Sequence, residues 1–534
     1  MTFTASSPSA IAPVPQTVTA SVSGSLSGTL YILVQVTGTA VADVSQFTVS
    51  GNTGSATVTV NNPGQLGTGT YSSVITVRAC LNDASCATGQ LQGSPQTINV
   101  SYTVGGPVIA DVVLPHTIVA GTTGQVLIRG SGLTGTTAVA FGATPAASFS
   151  VVSDSLITAT YPPTLAAGTL AVSLTGSTQA FSGTVAVVGP QAYAATTLTY
   201  PQTPARIIAV VFDAQRQVLY VAASLANNIN PSNAANQIWR YTYSGGAWGP
   251  ASVIAVPYLH DIALPGDGSK LQVLTDTAVL EFDAGNPTTA TRTVTASFAS
   301  ADGPAALYLS RFAFGNDGTA LVGTGEWDSQ APTDAYLYNV GAGTFTDLGH
   351  AYQFMYAEDG SGTPLVASAD GSTVLAAPSF PGSSGVVAYN PIKGLYGPVV
   401  GYVTQATDQP PATDSSGSHV IFTEDNQSPV ANANSGYDVS AYLAGPTGSA
   451  NVQVVLVNPQ GTRAYVLQSD ATLHTYDLTA APSGAPQSYP EVGTGAAQPI
   501  PSTTSPTLRT AVTADGQTLF VAGDAGVAVI PAPQ

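Results

Sequence analysis

Gly266-Asp267-Gly268-Ser269-Lys270-Leu271, Asn316-Asp317-Gly318-Thr319-Ala320-Leu321 and Ala369-Asp370-Gly371-Ser372-Thr373-Val374 share one pattern: a polar turn ending in glycine, then the start of an apolar strand. Working outward, further copies follow at Ser415-Ser416-Gly417-Ser418-His419-Val420, Pro459-Gln460-Gly461-Thr462-Arg463-Ala464 and Ala514-Asp515-Gly516-Gln517-Thr518-Leu519. One precedes them, Asp213-Ala214-Gln215-Arg216-Gln217-Val218-Leu219-Tyr220-Val221. The anchors 216, 268, 318, 371, 417, 461 and 516 lie 44 to 55 residues apart. Self-similarity at a fixed period marks a repeat architecture, and a four-stranded propeller blade takes roughly 40–50 residues. Seven anchors predict a seven-bladed β-propeller over residues 190–534.

The ends of the repeat region bear on closure. After Gly516 two clear strands remain, 519–522 and 527–530, so the last blade lacks its outer strand. Thr196-Thr197-Leu198-Thr199-Tyr200 precedes the first blade and can supply it. Such closure hides edges that a linear array of sheets would expose. With Val218-Leu219-Tyr220-Val221 and its echo Leu519-Phe520-Val521, the repeat resembles the YVTN-type propeller family. Blades such as the one with Leu271-Gln272-Val273 depart from that pattern.

Residues 1–15 are rich in Ser, Pro and Ala and read as a linker. From 16 to 104, strand-forming stretches (29–36, 47–49, 56–60, 71–79 and 97–104) alternate with Gly, Asn and Pro turns, as in a β-sandwich. The run from Gly69-Thr70-Tyr71 through Cys80 and Cys86 to Val100-Ser101-Tyr102-Thr103-Val104 resembles a bacterial Ig-like domain. Gly105-Gly106-Pro107 marks a boundary. Beyond it come Pro107-Val108-Ile109, Pro115, Gly121, Val126-Leu127-Ile128-Arg129-Gly130-Ser131-Gly132-Leu133, Val139-Ala140-Phe141-Gly142, Ile157-Thr158-Ala159 and Gly168-Thr169-Leu170-Ala171-Val172. In order and spacing these resemble the IPT/TIG domain, an Ig-like fold, over residues 105–189. The fold class expected is all-β: two Ig-like β-sandwich domains followed by a propeller closed by an N-terminal outer strand.

Composition agrees. Of 534 residues only 7 % are charged, against an ordinary ~25 %, while Gly (55) and Pro (38) abound. Residues of high helix propensity are scarce and β-branched ones frequent. The net charge of −18 argues against nucleic acid, whose phosphates require a basic face. Cys80 and Cys86, the only cysteines, are close enough in sequence to bridge a hairpin end; a disulfide there implies an oxidising compartment. No stretch is long and apolar enough for a transmembrane segment. The first residues lack a signal peptide's basic and apolar regions. A mature extracellular, cell-surface or periplasmic chain is therefore the expectation.

Residues leading into each innermost strand converge at one end of a propeller channel. Arg206, His260, Asp261, Arg311 and Arg509 fall there, with Tyr258 and Tyr308 at similar offsets and Tyr356 in the blade between. Arginines and tyrosines around a funnel suit an anionic or sugar-like ligand. The structural alternative is that the arginines pair with Asp261 or with backbone carbonyls between blades. Of the five histidines only His260 sits at a channel position, and no Gly-x-Ser-x-Gly elbow stands out. Asp359-Gly360-Ser361-Gly362 and Asp425-Asn426-Gln427 lack the alternating acids of an EF-hand loop and read as turns. No metal or other cofactor is expected. The primary expectation is a non-catalytic adhesion or binding protein with a protein or carbohydrate partner, the sandwiches forming its stalk. A lactonase-like propeller hydrolase using His260 and a self-associating structural surface protein are the alternatives.

Overall fold

The computed structural model describes residues 1–5, 12–23, 27–50, 53–66, 69–104, 111–225, 235–296, 307–326, 335–348, 365–376, 384–390, 394–403, 411–423, 428–432, 439–443, 452–484, 487–495 and 508–533. Within them the protein is all-β apart from one four-residue helical turn, Pro63–Leu66. Two compact units are present, Met1–Ile109 and Ala110–Gln534.

The first unit packs two sheets face to face. One carries Leu30–Gly38, Gly69–Leu81 and Gln96–Val104, the other Gln16–Ser21, Val41–Val44 and Thr53–Val60. Strict alternation along Thr53–Val60 buries Ala56, Val58 and Val60 and turns Ser55, Thr57 and Thr59 outward. This is the period-two signature of a sheet with one wet face. The opening residues correct an expectation. Thr2–Ala5 is no linker but a strand, parallel to Gln96–Val104, with Phe3 buried edge-on against Tyr102. Composition concealed it because one phenylalanine anchors it and its partner lies about a hundred residues away. Cys80 and Cys86 are bonded to each other and buried. Asp83 shapes their loop. Hydrogen bonds from the Ser85 and Thr88 side chains and backbones hold its carboxyl well below the usual range.

The second unit opens with another two-sheet sandwich. Gly124–Arg129 pairs with Leu156–Tyr161 and Val112–Leu114; Gly168–Thr175 pairs with Thr184–Val188 and Ala138–Phe141. Val126, Ile128, Val139, Phe141, Ile157, Val172 and Val185 fill the space between.

Seven further sheets follow among the described residues, numbered I to VII here. Their first strands are Arg206–Asp213, Leu259–Ala263, Leu307–Phe314, Leu365–Ala367, Ala412–Thr413, Val452–Val457 and Arg509–Val512. Each first strand touches the next in this order, and that of sheet VII touches that of sheet I. Thr196–Leu198 pairs antiparallel with Gly526–Pro531 and becomes the outer strand of sheet VII. Second strands are buried on both faces, as in Val218–Ala223 and Thr518–Gly523, because apolar cores lie between consecutive sheets.

The repeat glycines sit in the turns between first and second strands. Gly268, Gly318, Gly371, Gly417, Gly461 and Gly516 all have φ between 64° and 79°, where a Cβ is unfavourable. The first copy has no glycine, and there Gln217 takes the positive φ. A polar side chain caps several of these turns. Asn458 Oδ1 accepts from the Thr462 and Arg463 amides, and Thr513 Oγ1 from the Thr518 amide. Neighbouring turns are joined by backbone bonds, Asn316 N to Gly371 O, Asp370 N to Ser415 O and Ser415 N to Pro459 O.

Candidate functional site

The first strands of sheets I, II, III and VI share an irregularity near their beginnings, where one extra residue interrupts the pairing with the second strand. In sheets I and II that residue is Ile208 and His260. A bulge leaves its residue outside the ladder, so its carbonyl needs another donor. Arginines supply it. Arg509 Nε donates to the Ile208 carbonyl at 2.9 Å, and Arg311 Nη1 to the His260 carbonyl at 2.7 Å. Both link the first strands of neighbouring sheets, so the carbonyl-pairing role foreseen for the arginines accounts for part of their bonding.

Asp261 accepts from the Ile262 amide at 2.9 Å and from the Phe312 amide of the adjacent sheet at 3.2 Å. Burial pushes its carboxyl upward, opposed chiefly by the nearby Arg311 charge. Asp261, Arg311 and Arg509 share the wall of one cavity of about 500 Å³. The first strands of all seven sheets contribute to this wall.

The other candidates among the described residues do not line that cavity. His260 hydrogen-bonds Asp276 through Nε2 and stacks on Tyr308, with ring centroids 4.9 Å apart. Burial lowers its basicity, with Asp276 acting in the opposite sense. Tyr258 is 38 % exposed and takes a left-handed backbone, φ 60°, just before the bulge. Arg206 begins the first strand of sheet I, and its charge reaches His260. Tyr356, Asp359-Gly360-Ser361-Gly362 and Asp425-Asn426-Gln427 lie outside the described residues. Asp276 was not anticipated. It occupies the turn between the second and third strands of sheet II, 16 residues beyond His260, and nothing in the local sequence ties the two together.

The opposite end of the seven strands meets the preceding sandwich. Its turn Leu114-Pro115-His116-Thr117 lies over a second cavity of about 360 Å³, walled by residues at the far ends of the first strands. The two cavities share Phe212, Phe312, Ala367 and Val512 in their walls. The sandwich is fixed there by polar contacts. Arg129, buried, donates to Asn316 Oδ1 from Nε at 3.1 Å and also from Nη2. Gln215 donates to Thr169 Oγ1 at 3.2 Å. A Cβ on Gly268 would fall 2.6 Å from the His116 ring, so the close approach there requires glycine.

Among the described residues, no group of three or more His, Cys, Asp or Glu is placed to hold a metal ion, and no helix is long and apolar enough to cross a membrane.

Residues 107–188 match the IPT/TIG domain family, whose members often act in binding and adhesion. No curated protein matches the chain. One solved structure, "Crystal Structure of Mitotic Checkpoint Complex", contains a chain that is 13 % identical, with a TM-score of 0.41, covering 65 % of this chain and 100 % of that one.

Proposed function

We propose that residues 190–534 form a seven-bladed β-propeller of the YVTN type, and that the protein is a secreted or cell-surface binding protein without catalytic activity. The domains at 16–104 and 105–189 act as a stalk, and the propeller is a head for a protein or carbohydrate partner. The observation that carries this reading is the order of contacts among the seven first strands, which returns from sheet VII to sheet I. The pairing of Thr196–Leu198 with Gly526–Pro531 supports closure. The turn at Leu114–Thr117 covers one mouth of such a ring. A partner therefore docks at the other mouth, where Tyr258 is exposed and His260 stacks on Tyr308.

Two experiments test the reading. A Thr197→Cys/Ala528→Cys pair, placed opposite each other in the closing strands, cross-links under oxidation if the ring closes; failure to cross-link in a folded chain overturns closure. A glycan array and surface capture with partner candidates, repeated with Tyr258→Ala, tests the head; retention in the variant of all binding places the partner elsewhere.

A second reading, a lactonase-like hydrolase, draws on one observation, the His260–Asp276 pair at the same mouth. A carboxylate on one ring nitrogen orients a histidine as a general base. Lactone hydrolysis abolished by His260→Ala would establish it; no turnover by wild type would dismiss it.

A further inference from the structure

We propose that a cleft on the flank of the array, between the outer strand of sheet VII and the third strand of sheet I, binds a neutral saccharide. One wall is Thr196–Leu198 with the residues flanking it. The other is the end of Gln237–Ser244 with the short hairpin strand Ala247–Trp248. The cleft has a volume of about 520 Å³, within the range of small-molecule sites. It shares no lining residue with the two axial cavities, and neither Tyr258 nor His260 lines it, so it is separate from the mouth. The proposal therefore does not rest on the partner placed there. It needs only the seam between sheets VII and I. That seam is fixed by the pairing of Thr196–Leu198 with Gly526–Pro531 and by the Tyr241 hydroxyl, which donates to the Thr199 carbonyl at 2.8 Å.

The chemistry of the walls selects the ligand. No Asp, Glu, Lys, Arg or His stands among the described lining residues, so an ionised group finds no counter-charge there. Hydroxyls are to spare. Thr196, Thr197 and Thr199 are exposed, and among the described residues neither their hydroxyls nor the Tyr243 phenol has a hydrogen-bond partner. A hydroxyl both donates and accepts, which matches the hydroxyls of a sugar. Covering these groups with a purely apolar ligand would strip them of water without replacement. The cleft also has an aromatic part. Trp248 packs against Tyr193, Tyr243 and Phe520, with ring centroids 5.1, 5.3 and 5.6 Å away. The core thus holds it in place, and binding does not have to order it. Its Nε1 is shut away from solvent, so what this half-buried residue offers the cleft is carbon surface. Carbon surface beside free hydroxyls suits a sugar ring, which has an apolar C–H face and a rim of hydroxyls. A proline-rich peptide also docks on aromatic surfaces, but proline brings no N–H and answers the hydroxyls only as an acceptor.

The test is calorimetric titration of the full chain with maltotriose, cellotriose and triacetylchitotriose. Trigalacturonate serves as the ionised comparator and a proline-rich peptide as the competing class. At least one neutral trisaccharide is expected to bind at millimolar concentration or below, and neither comparator. Ala195→Trp places a large side chain on an exposed residue of the wall, away from the core, and should abolish binding by filling the cleft. Thr199→Val removes one hydroxyl, keeps the carbonyl that Tyr241 uses, and should weaken the sugar by about two- to tenfold; Tyr243→Phe should do the same. These two small changes keep the test valid where the tryptophan disturbs the fold. Tyr258→Ala should leave sugar affinity unchanged. No heat with any neutral trisaccharide at millimolar concentration overturns the site, as does a preference for trigalacturonate or for the peptide, or unchanged affinity in both Ala195→Trp and Thr199→Val. The variants keep the two failures apart. Sugar binding abolished by Tyr258→Ala alone upholds the mouth and removes the cleft, whereas binding abolished by Ala195→Trp alone upholds the cleft and takes the sugar away from the mouth.

Discussion

Two strands of nearly equal length show how differently this protein uses apolar residues. Thr53–Val60, in the first sandwich, alternates buried residues with exposed or half-buried ones along its whole length. Val218–Ser224, the second strand of sheet I, buries six consecutive residues and leaves only Ser224 partly open. The first belongs to a sheet with one neighbour, the second to a sheet enclosed by cores on both faces. Alternation therefore records how many sides of a sheet are covered. Unbroken apolar runs such as Val218-Leu219-Tyr220-Val221 appear where both are.

The largest test of this contrast is Trp239→Ala. Trp239 is fully buried between sheets I and VII, and its Nε1 donates to Gln237. Truncation should cost about 3–5 kcal/mol, read as a lowered calorimetric transition of the sheet array. A loss below about 1 kcal/mol would show that the gap between these sheets collapses easily.

Next in size is removal of the Cys80–Cys86 bond by a double serine substitution. The bond closes a loop of six residues' separation in a sandwich covered on one side only. Chain-entropy reasoning puts its contribution at about 2 kcal/mol, and the transition of the Met1–Ile109 unit should fall accordingly. Unchanged melting would mean that the sheets alone determine its stability.

The turns of the array respond to acid. Burial raises the Asp414 carboxyl, but hydrogen bonds from His419, Ser418 and Ser416 outweigh it and bring the pKa to about 2 from 3.8. A carboxyl lowered on folding stabilises fully above its unfolded value, and that contribution disappears as pH falls through the folded one. Wild type should therefore exceed Asp414→Asn in stability by roughly 2 kcal/mol at neutral pH. The difference should shrink steadily between about pH 4 and pH 2. A constant difference across that range would detach the effect from titration.

The smallest expected effect belongs to the outer face of the first sandwich. Leu33 is 39 % exposed, and Leu33→Thr should change stability by no more than about 0.5 kcal/mol. The same replacement at Leu219, which is fully buried, should cost several times as much. Equal costs would remove the distinction between one-sided and two-sided sheets.

What the sequence disclosed follows the same physics. Turns that need a positive φ write themselves as glycines, so the repeat was legible at Gly268, Gly318, Gly371, Gly417, Gly461 and Gly516. The pairing of Thr196–Leu198 with Gly526–Pro531 was legible because the last repeat lacked an outer strand. Contacts between distant side chains left no such trace. Nothing near His260 announces Asp276, and nothing near Arg129 announces Asn316. The arginines were legible as a group by their rarity and offsets. That Arg311 and Arg509 would reach bulge carbonyls depended on an irregularity in the first strands that has no residue signature here. Thr2–Ala5 was missed for a similar reason, since its partner is far along the chain.

The pairing of Thr196–Leu198 with Gly526–Pro531 also bears on how the chain is made. During synthesis Thr196–Leu198 emerges before any of the seven first strands, and its partner emerges after all of them. Until then Thr196–Leu198 has no ladder to join, and the nascent array carries an open edge on which another chain can pair. Bringing such remote segments together is slow, because chain closure must precede the contacts that reward it. A polypeptide interrupted before Gly526 would thus leave the ribosome with that edge uncovered, so Gly526–Pro531 guards the sheets made before it against aggregation.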